Sequence, residues 1–248
     1  MSDATRERLL ALNRAFYATV AVEFDRTRSG FPVGWEALRP FLPTPHARRP
    51  HVLDAGCGNG RFARFLEESE WPCSYVGVDA DATLLALAAG QTTNFAWVQP
   101  QFVQADLTDP GWATPWRAQA QSFDLIVCLA VLHHLPGFAL RRQVLHDLAS
   151  LLAVDGVLIA STWQFLTSAR FAQKVAPWQQ VGLDEAEVEP GDALLPWNQG
   201  VHALRYVHQI DEAEIEQLAQ EAGLAAVHHF YADGKEGNLN LYAVLRPR

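Results

Sequence analysis

The sequence predicts an α/β domain built on a doubly wound, mostly parallel sheet. Three observations carry this. Short apolar strands alternate with amphipathic helices from residue 51 to residue 162, the pattern of linked βαβ units. One strand, "FDLIVCLAV" (123–131), is almost wholly apolar, as expected where helices cover both sheet faces. A glycine-rich turn, "GCGNG", follows the first strand and opens a helix.

In chain order, Leu9, Leu12, Phe16 and Val20 recur at helical spacing and predict a helix over 3–24. Gly and Pro punctuate a loop at 27–35. A short helix, "EALRPFLP", and a Pro/Arg-rich connector, "TPHARRP", follow. The expected alternation then runs strand 51–56, helix 60–69, strand 74–79, helix 81–90, strand 101–106, strand 123–131, helix 139–153 and strand 156–162. A helix over 211–223 stops at Gly223, and 224–232 with 240–247 reads as a terminal antiparallel hairpin. Between these lies "GDALLPWNQGVHALRYVH" (191–208), which reads neither as a helix nor as a clean strand. The expected organisation is one domain, 1–248, with a helical cap at 1–49 and an insertion at 163–209 that contributes to a substrate site.

Hydrophobic residues make up 49% of the 248 and charged residues 19%, which supports a sizeable core and excludes a disordered chain. The net charge of −9 argues against a broadly nucleic-acid-coating surface but leaves room for a local basic patch. The cysteines, Cys57, Cys73 and Cys128, are scattered without a CxxC pair, so neither a zinc site nor a disulfide framework is expected. No apolar run approaches membrane-spanning length and the start lacks a signal-peptide core, which predicts a soluble cytoplasmic protein.

Gly56, Gly58 and Gly60 follow the first strand, with Asp54 just before them. Glycines allow a ligand to touch backbone at the exposed N–H groups of a helix start. The spacing is GxGxG rather than the dinucleotide GxGxxG, and a carboxylate at Asp54 would repel a pyrophosphate. Both features favour S-adenosylmethionine (SAM), whose methionine end carries an ammonium group. Asp79 ends the second strand, where a carboxylate accepts from ribose hydroxyls. Asp81 reads as a helix N-cap. Asp106 ends the third strand, facing an adenine amino group. Each acid alone is equally a turn or cap residue; three at successive strand ends on one sheet edge point to a shared ligand.

Together "VLDAGCGNGRF", "VGVDAD", "QAD" and "FDLIVCLAVLHHL" resemble the class I SAM-dependent methyltransferases. The resemblance implies a Rossmann-like fold, with a seven-stranded, mostly parallel sheet, an antiparallel last strand and helices on both faces. It implies SAM as cofactor, S-adenosylhomocysteine as product and no metal. It implies Asp54, Gly56, Gly58 and Gly60 beside the methionine part, Asp79 at the ribose, Asp106 and Leu107 at the adenine, and Cys128 and Leu129 beneath the ligand. The N-terminal "FYATVAVEFDRTRSGFPVGW", the phrase "AVLHHL", the segments "GDALLPW" and "RYVH", and "GNLNLYAVLR" further resemble the transfer-RNA methyltransferases that esterify the carboxymethyl group of wobble uridine, including the module fused to an AlkB-type hydroxylase. Departures are Val207, where that family carries a second Tyr, and Phe31 before Pro32, where it commonly has Trp. The resemblance implies tRNA as substrate and a small zinc-containing activator protein as a partner, with neither DNA nor a membrane involved.

An ionised carboxylate, with a reference pKa of about 4, needs no base to attack a methyl group. It needs alignment and hydrogen-bond donors, which Arg and His supply. Arg28, His133, Arg205 and His208 are therefore the expected catalytic set. His134, Trp197 and Tyr206 are expected to touch substrate, and Tyr17 and Arg28 to close over SAM. Trp197 reads equally as a base-stacking platform or a core residue, Arg205 as an acceptor anchor or an ion-pair member, and Arg141–Arg142 as a phosphate contact or solvated charge. A small-molecule O-methyltransferase acting on a carboxylic acid or hydroxyl, and a non-catalytic SAM-binding protein, are the competing functions.

Overall fold

The β4 strand (Phe123–Leu129) shows why the sheet is covered on both faces. Its Ile126 and Cys128 enter one hydrophobic core, and Leu125 and Val127 enter another on the opposite face, as strand alternation requires. The structure is a computed structural model that describes residues 1–27, 30–45, 48–120 and 122–248, with only the backbone of Phe24 and Gln199. The other strands of the main sheet are β1 (His51–Ala55), β2 (Cys73–Asp79), β3 (Val98–Gln104), β5 (Leu152–Trp163), β8 (Leu224–Ala232) and β9 (Asn240–Pro247). Their order is β3-β2-β1-β4-β5-β9-β8. Strand β9 runs antiparallel to both neighbours, and the pairings from β3 to β5 are parallel. This is the Rossmann-like methyltransferase fold.

Helices α6 (Phe138–Ala149) and α8 (Glu212–Glu221) pack Val144, Leu145, Leu148, Ile215 and Leu218 onto one face. Helix α3 (Arg61–Glu68) and Trp35 of α2 (Val33–Glu36) cover the other. Strand order reverses between β1 and β4, which opens a crevice at their carboxyl ends, the usual ligand position in such sheets.

Several elements differ from the sequence reading. The opaque stretch 191–208 is a hairpin of β6 (Asp192–Gln199) and β7 (Val201–His208), turning at Gly200 with φ of 77°. Alternation is hidden because Ala193, Leu194 and Leu195 are all buried, and Pro196 within β6 mimics a break. Helix 139–153 ends at Ala149, and Leu152 already belongs to β5. The third strand lies at 98–104 rather than 101–106. The expected short helix at 36–43 resolves into α2 and a 3-10 turn at Arg39–Phe41. Among the described residues three more α-helices are α4 (Ala82–Gln91), α5 (Thr114–Ala118), which the sequence did not suggest, and α7 (Ala169–Ala172).

Helix α1 (Asp3–Arg26) lies against the hairpin. Asn13 Nδ2 donates to the carbonyls of His134 (3.0 Å) and Tyr206 (3.1 Å), and its Oδ1 accepts from the Tyr206 amide at 2.8 Å. One side chain thus joins the N-terminal helix to two segments of the site. Among the described residues no helix is long and apolar enough to cross a membrane.

Candidate active site

A cavity of about 1420 Å³ opens at the carboxyl ends of the central strands. Its first half is built on the glycine loop. The amides of Gly56 and Cys57 both donate to the Val78 carbonyl, at 2.7 and 3.0 Å, folding the loop back over β2. Gly56 has φ of 78°, and a Cβ there would come within 2.4 Å of Val131. Gly58 lines the cavity with nothing within 4 Å of its absent Cβ, leaving open backbone for a ligand. Gly60 does not line the cavity: it starts α3 with φ of 72°, and its missing Cβ lets Ala88 of α4 pack close.

Asp79 accepts from the Asp81 amide on Oδ1 (2.9 Å) and the Gly58 amide on Oδ2 (2.8 Å). One lone pair per oxygen remains, which suits the two hydroxyls of a ribose. Asp54 is buried and accepts from the Tyr75 hydroxyl at 2.5 Å. Burial is the main cause that pushes its pKa up to about 7, with Asp79 adding to the rise against the Tyr75 hydrogen bond. A cationic ligand beside Asp54 favours its ionised form, so SAM affinity is expected to fall as pH drops from 7 to 6, by up to about tenfold for one linked proton. Over that range the amino group of SAM stays protonated. Calorimetric titrations of wild type and Asp54→Asn check this; an unchanged pH dependence in the variant would assign the proton elsewhere.

Asp106 and Leu107 line the cavity at the end of β3, where the resemblance expects the adenine. Burial pushes the Asp106 carboxyl up, but the Thr108 hydroxyl and amide and the Arg14 guanidinium outweigh it and hold it below the usual range. Leu129 lines the cavity, whereas Cys128 does not: one position earlier on β4, its thiol points into the core, and burial raises its pKa beyond the accessible range.

Helix α1 roofs this half with Asn13, Arg14 and Tyr17. The sequence reading missed Arg14, although it shares a helix face with Leu10 and Tyr17. It also missed Asp25, which accepts from Asn59 of the glycine loop (2.7 Å) and Gln91 (3.1 Å). Arg28 lies outside the described residues.

The second half of the cavity is lined by His133, His134, Trp163, Trp197 and Arg205. His133 Nδ1 accepts from the Trp163 amide at 3.3 Å, which puts the ring proton on Nε2. His133 is 3% exposed. Burial, then the charges of His134, Arg205 and His208, drive its pKa well below the ordinary histidine value. His134 Nδ1 donates to the Tyr206 carbonyl at 3.2 Å, so its Nε2 accepts from the Tyr17 hydroxyl at 2.8 Å. Burial and Arg205 lower its pKa to about 3. His134 is thus a neutral latch between α1 and β7.

The Arg205 guanidinium sits 4.7 Å from the Trp163 ring centre, 5.3 Å from Phe16 and 5.9 Å from Trp197, a cation held among aromatic faces. Trp197 is only 6% exposed and meets Phe16 edge to face. It is a wall rather than the open stacking platform that one reading of the sequence allowed.

Tyr206 and His208 do not line the cavity. They alternate with Arg205 and Val207 along β7 and point the other way. The Tyr206 hydroxyl donates to Asp192 at 2.7 Å, and His208 bridges Asp192 (2.7 Å) and Glu214 (2.8 Å). Arg141 closes this buried network against Glu214 (2.7 Å), Glu189 (2.8 Å) and the Leu135 carbonyl. It contacts carboxylates inside the protein, so it is neither solvated nor set against phosphate; Arg142 pairs with Glu221. Glu189, Asp192 and His208 bring possible metal-ligand atoms within 4.8 Å of one another, but Arg141 and the doubly bonded imidazole already meet those oxygens.

Residues 26–229 match the methyltransferase-domain family. The chain belongs to that family. Its relative in Encephalitozoon cuniculi, named a putative methyltransferase, is 30% identical over 232 residues, 93% of this chain and 92% of that one. The tRNA (carboxymethyluridine(34)-5-O)-methyltransferase of Arabidopsis thaliana is 25% identical over 147 residues, 59% of this chain and 31% of its own length. A SAM-dependent methyltransferase from Methanosarcina mazei shares the fold with a TM-score of 0.64 at 16% identity, covering 85% of this chain and 96% of that one. The acids and open glycine backbone of this methyltransferase fit SAM: Asp79 retains acceptors for a diol and Asp54 offers a counter-charge to a cation.

Proposed function

We propose that this methyltransferase esterifies a carboxylate, namely the carboxymethyl group of a tRNA wobble uridine, assisted by a small zinc-containing activator protein. The observation that carries this reading is the division of charge in the cavity. Asp54 and Asp79 line the cofactor half, where Asp106 is already paired with Arg14, while the acceptor half offers Arg205 and a neutral His133. A cationic donor and an anionic acceptor are thereby drawn to opposite ends. SAM supplies a methyl group on a sulfonium, which leaves as a neutral thioether. The acceptor oxygen needs no deprotonation, and the low basicity of His133 and His134 suits an acceptor already ionised. A phenol or hydroxyl would need a positioned base. Arg205 holds the acceptor by charge-assisted hydrogen bonds, and His133 donates through Nε2–H to orient it. The Arabidopsis relative, whose name specifies carboxymethyluridine, supports the same acceptor.

The test is incubation of the protein and labelled SAM with tRNA bearing the free carboxymethyl group, with and without a candidate activator. A base-labile methyl ester is expected, forming at saturating SAM at a rate nearly flat between about pH 6 and 8. No ester under either condition, with methylation of a small acid or phenol instead, moves the assignment to a small-molecule O-methyltransferase. Arg205→Ala is expected to lower kcat/KM for the acceptor roughly 10- to 100-fold, the worth of a charge-assisted hydrogen bond. Its SAM affinity should stay within about twofold of wild type, because an acceptor contact is not part of cofactor binding.

A further inference from the structure

The acceptor half does not stop at Arg205. Trp163 lies 4.7 Å beneath that guanidinium, Phe171 meets Trp163 edge to face at 4.8 Å, and the Arg170 guanidinium lies 5.1 Å from Phe171. Lys174, one of only two lysines in the chain, lines the same cavity one helical turn beyond Arg170. The series therefore runs from a buried cation, over two aromatic rings, to two exposed cations at the mouth. Among the described residues neither Arg170 nor Lys174 forms an ion pair, a state they share with Arg8, Arg49 and Arg246, none of which lines the cavity. In a chain of net charge −9, unneutralised cations concentrated at one rim mark where a second negative group is met.

We propose that Arg170, Phe171 and Lys174 form an outer subsite for the phosphate and ring of the nucleotide whose carboxylate reaches Arg205. This rests on the carboxylate-esterification reading and extends it from the reacting group to its carrier. Arg and Lys meet backbone phosphate, and an aromatic face accepts any base ring. The order of cation, rings and cations is the order in which an acid-bearing base and its own phosphate present anion, ring and anion. A small free acid has nothing to place on the outer pair.

The experiment measures binding of a fluorescent anticodon stem-loop RNA containing carboxymethyluridine, with S-adenosylhomocysteine present, between about 50 and 200 mM salt. Wild type, Arg170→Ala/Lys174→Ala and the charge-keeping Arg170→Lys/Lys174→Arg are compared, and SAM affinity measured in parallel reports intact folding. The alanine pair is expected to bind more weakly, with a log Kd against log salt slope shallower by about 0.7–1, because the contact to one phosphate is lost. The charge-keeping pair should retain the wild-type slope. The proposal is overturned if the alanine pair binds RNA as the wild type does, or if the wild type binds no RNA. Ester formation on the free carboxymethyluridine nucleoside is followed separately. Its absence counts against the esterification reading, while its presence with an RNA-insensitive rim counts against the subsite alone.

Discussion

Replacing Arg141 with methionine is expected to destabilise the fold by about 2–4 kcal/mol, because it removes a buried cation from two half-buried carboxylates. Arg141 is 1% exposed and holds Glu189, Glu214 and the Leu135 carbonyl together. It ties α6 to α8, to the segment before β6, and to the turn that carries His133 and His134. For a chain of this size the loss corresponds to a Tm lower by roughly 10 °C. Converting Glu189 and Glu214 to glutamine in the same variant should restore part of it, since the uncompensated charges are then gone. A Tm within about 2 °C of wild type for Arg141→Met alone would show that the network contributes little. The network also sets a pH dependence. Burial lowers the His208 pKa, but the hydrogen bonds to Asp192 and Glu214 prevail and raise it above the ordinary value. A raised folded value means that the stabilisation is fully present below the unfolded pKa of about 6.5 and is lost as pH rises through the folded one. Denaturant titrations of wild type should show that loss, and His208→Gln should lack it.

Asp79→Ala is expected to weaken SAM binding by about 2–4 kcal/mol, through the loss of two charge-assisted hydrogen bonds. The geometry adds a second cost, because the same carboxylate accepts from the Gly58 and Asp81 amides. Asparagine is therefore a poor replacement. One of its ends is an N–H donor, which would face a backbone N–H whichever way the amide is turned. Both variants should lose affinity by calorimetry, with asparagine recovering little. Unchanged SAM affinity in Asp79→Ala would remove Asp79 from the ribose position. The effect should be specific to cofactor, since Asp79 is remote in role from the cations of the acceptor half.

Which acids and glycines line the cavity was largely legible because local chain geometry builds that half. Asp54, Gly56, Gly58, Asp79 and Asp106 sit at strand ends or in the turn after a strand, and a strand–turn–helix unit places such residues on the ligand edge whatever surrounds it. Gly60 and Cys128 belong to the same segments yet serve packing. Gly60 is where Ala88 of α4 packs against a missing Cβ, which local spacing does not encode, whereas the inward direction of Cys128 follows from alternation along β4. The acceptor half was legible only in part. Arg205 was singled out from a motif, but so were Tyr206 and His208, which alternation on β7 turns toward Arg141 and Glu214. Their roles were hidden because the hairpin itself was hidden, with β6 buried along three consecutive residues and broken in appearance by Pro196.

By itself the sequence determined the alternating α/β architecture, the antiparallel last strand and the acids that line the cavity at the strand ends, because periodicity and turn chemistry act over a few residues. Tertiary structure alone decided that α1 roofs the cavity through Asn13 and Tyr17, that His134 is a neutral latch, and that His208 and Arg141 form a buried ion network. Those outcomes depend on contacts between groups as many as 193 positions apart, such as Asn13 with Tyr206. The partner that neutralises, orients or buries a polar side chain becomes known only when the chain has brought it there.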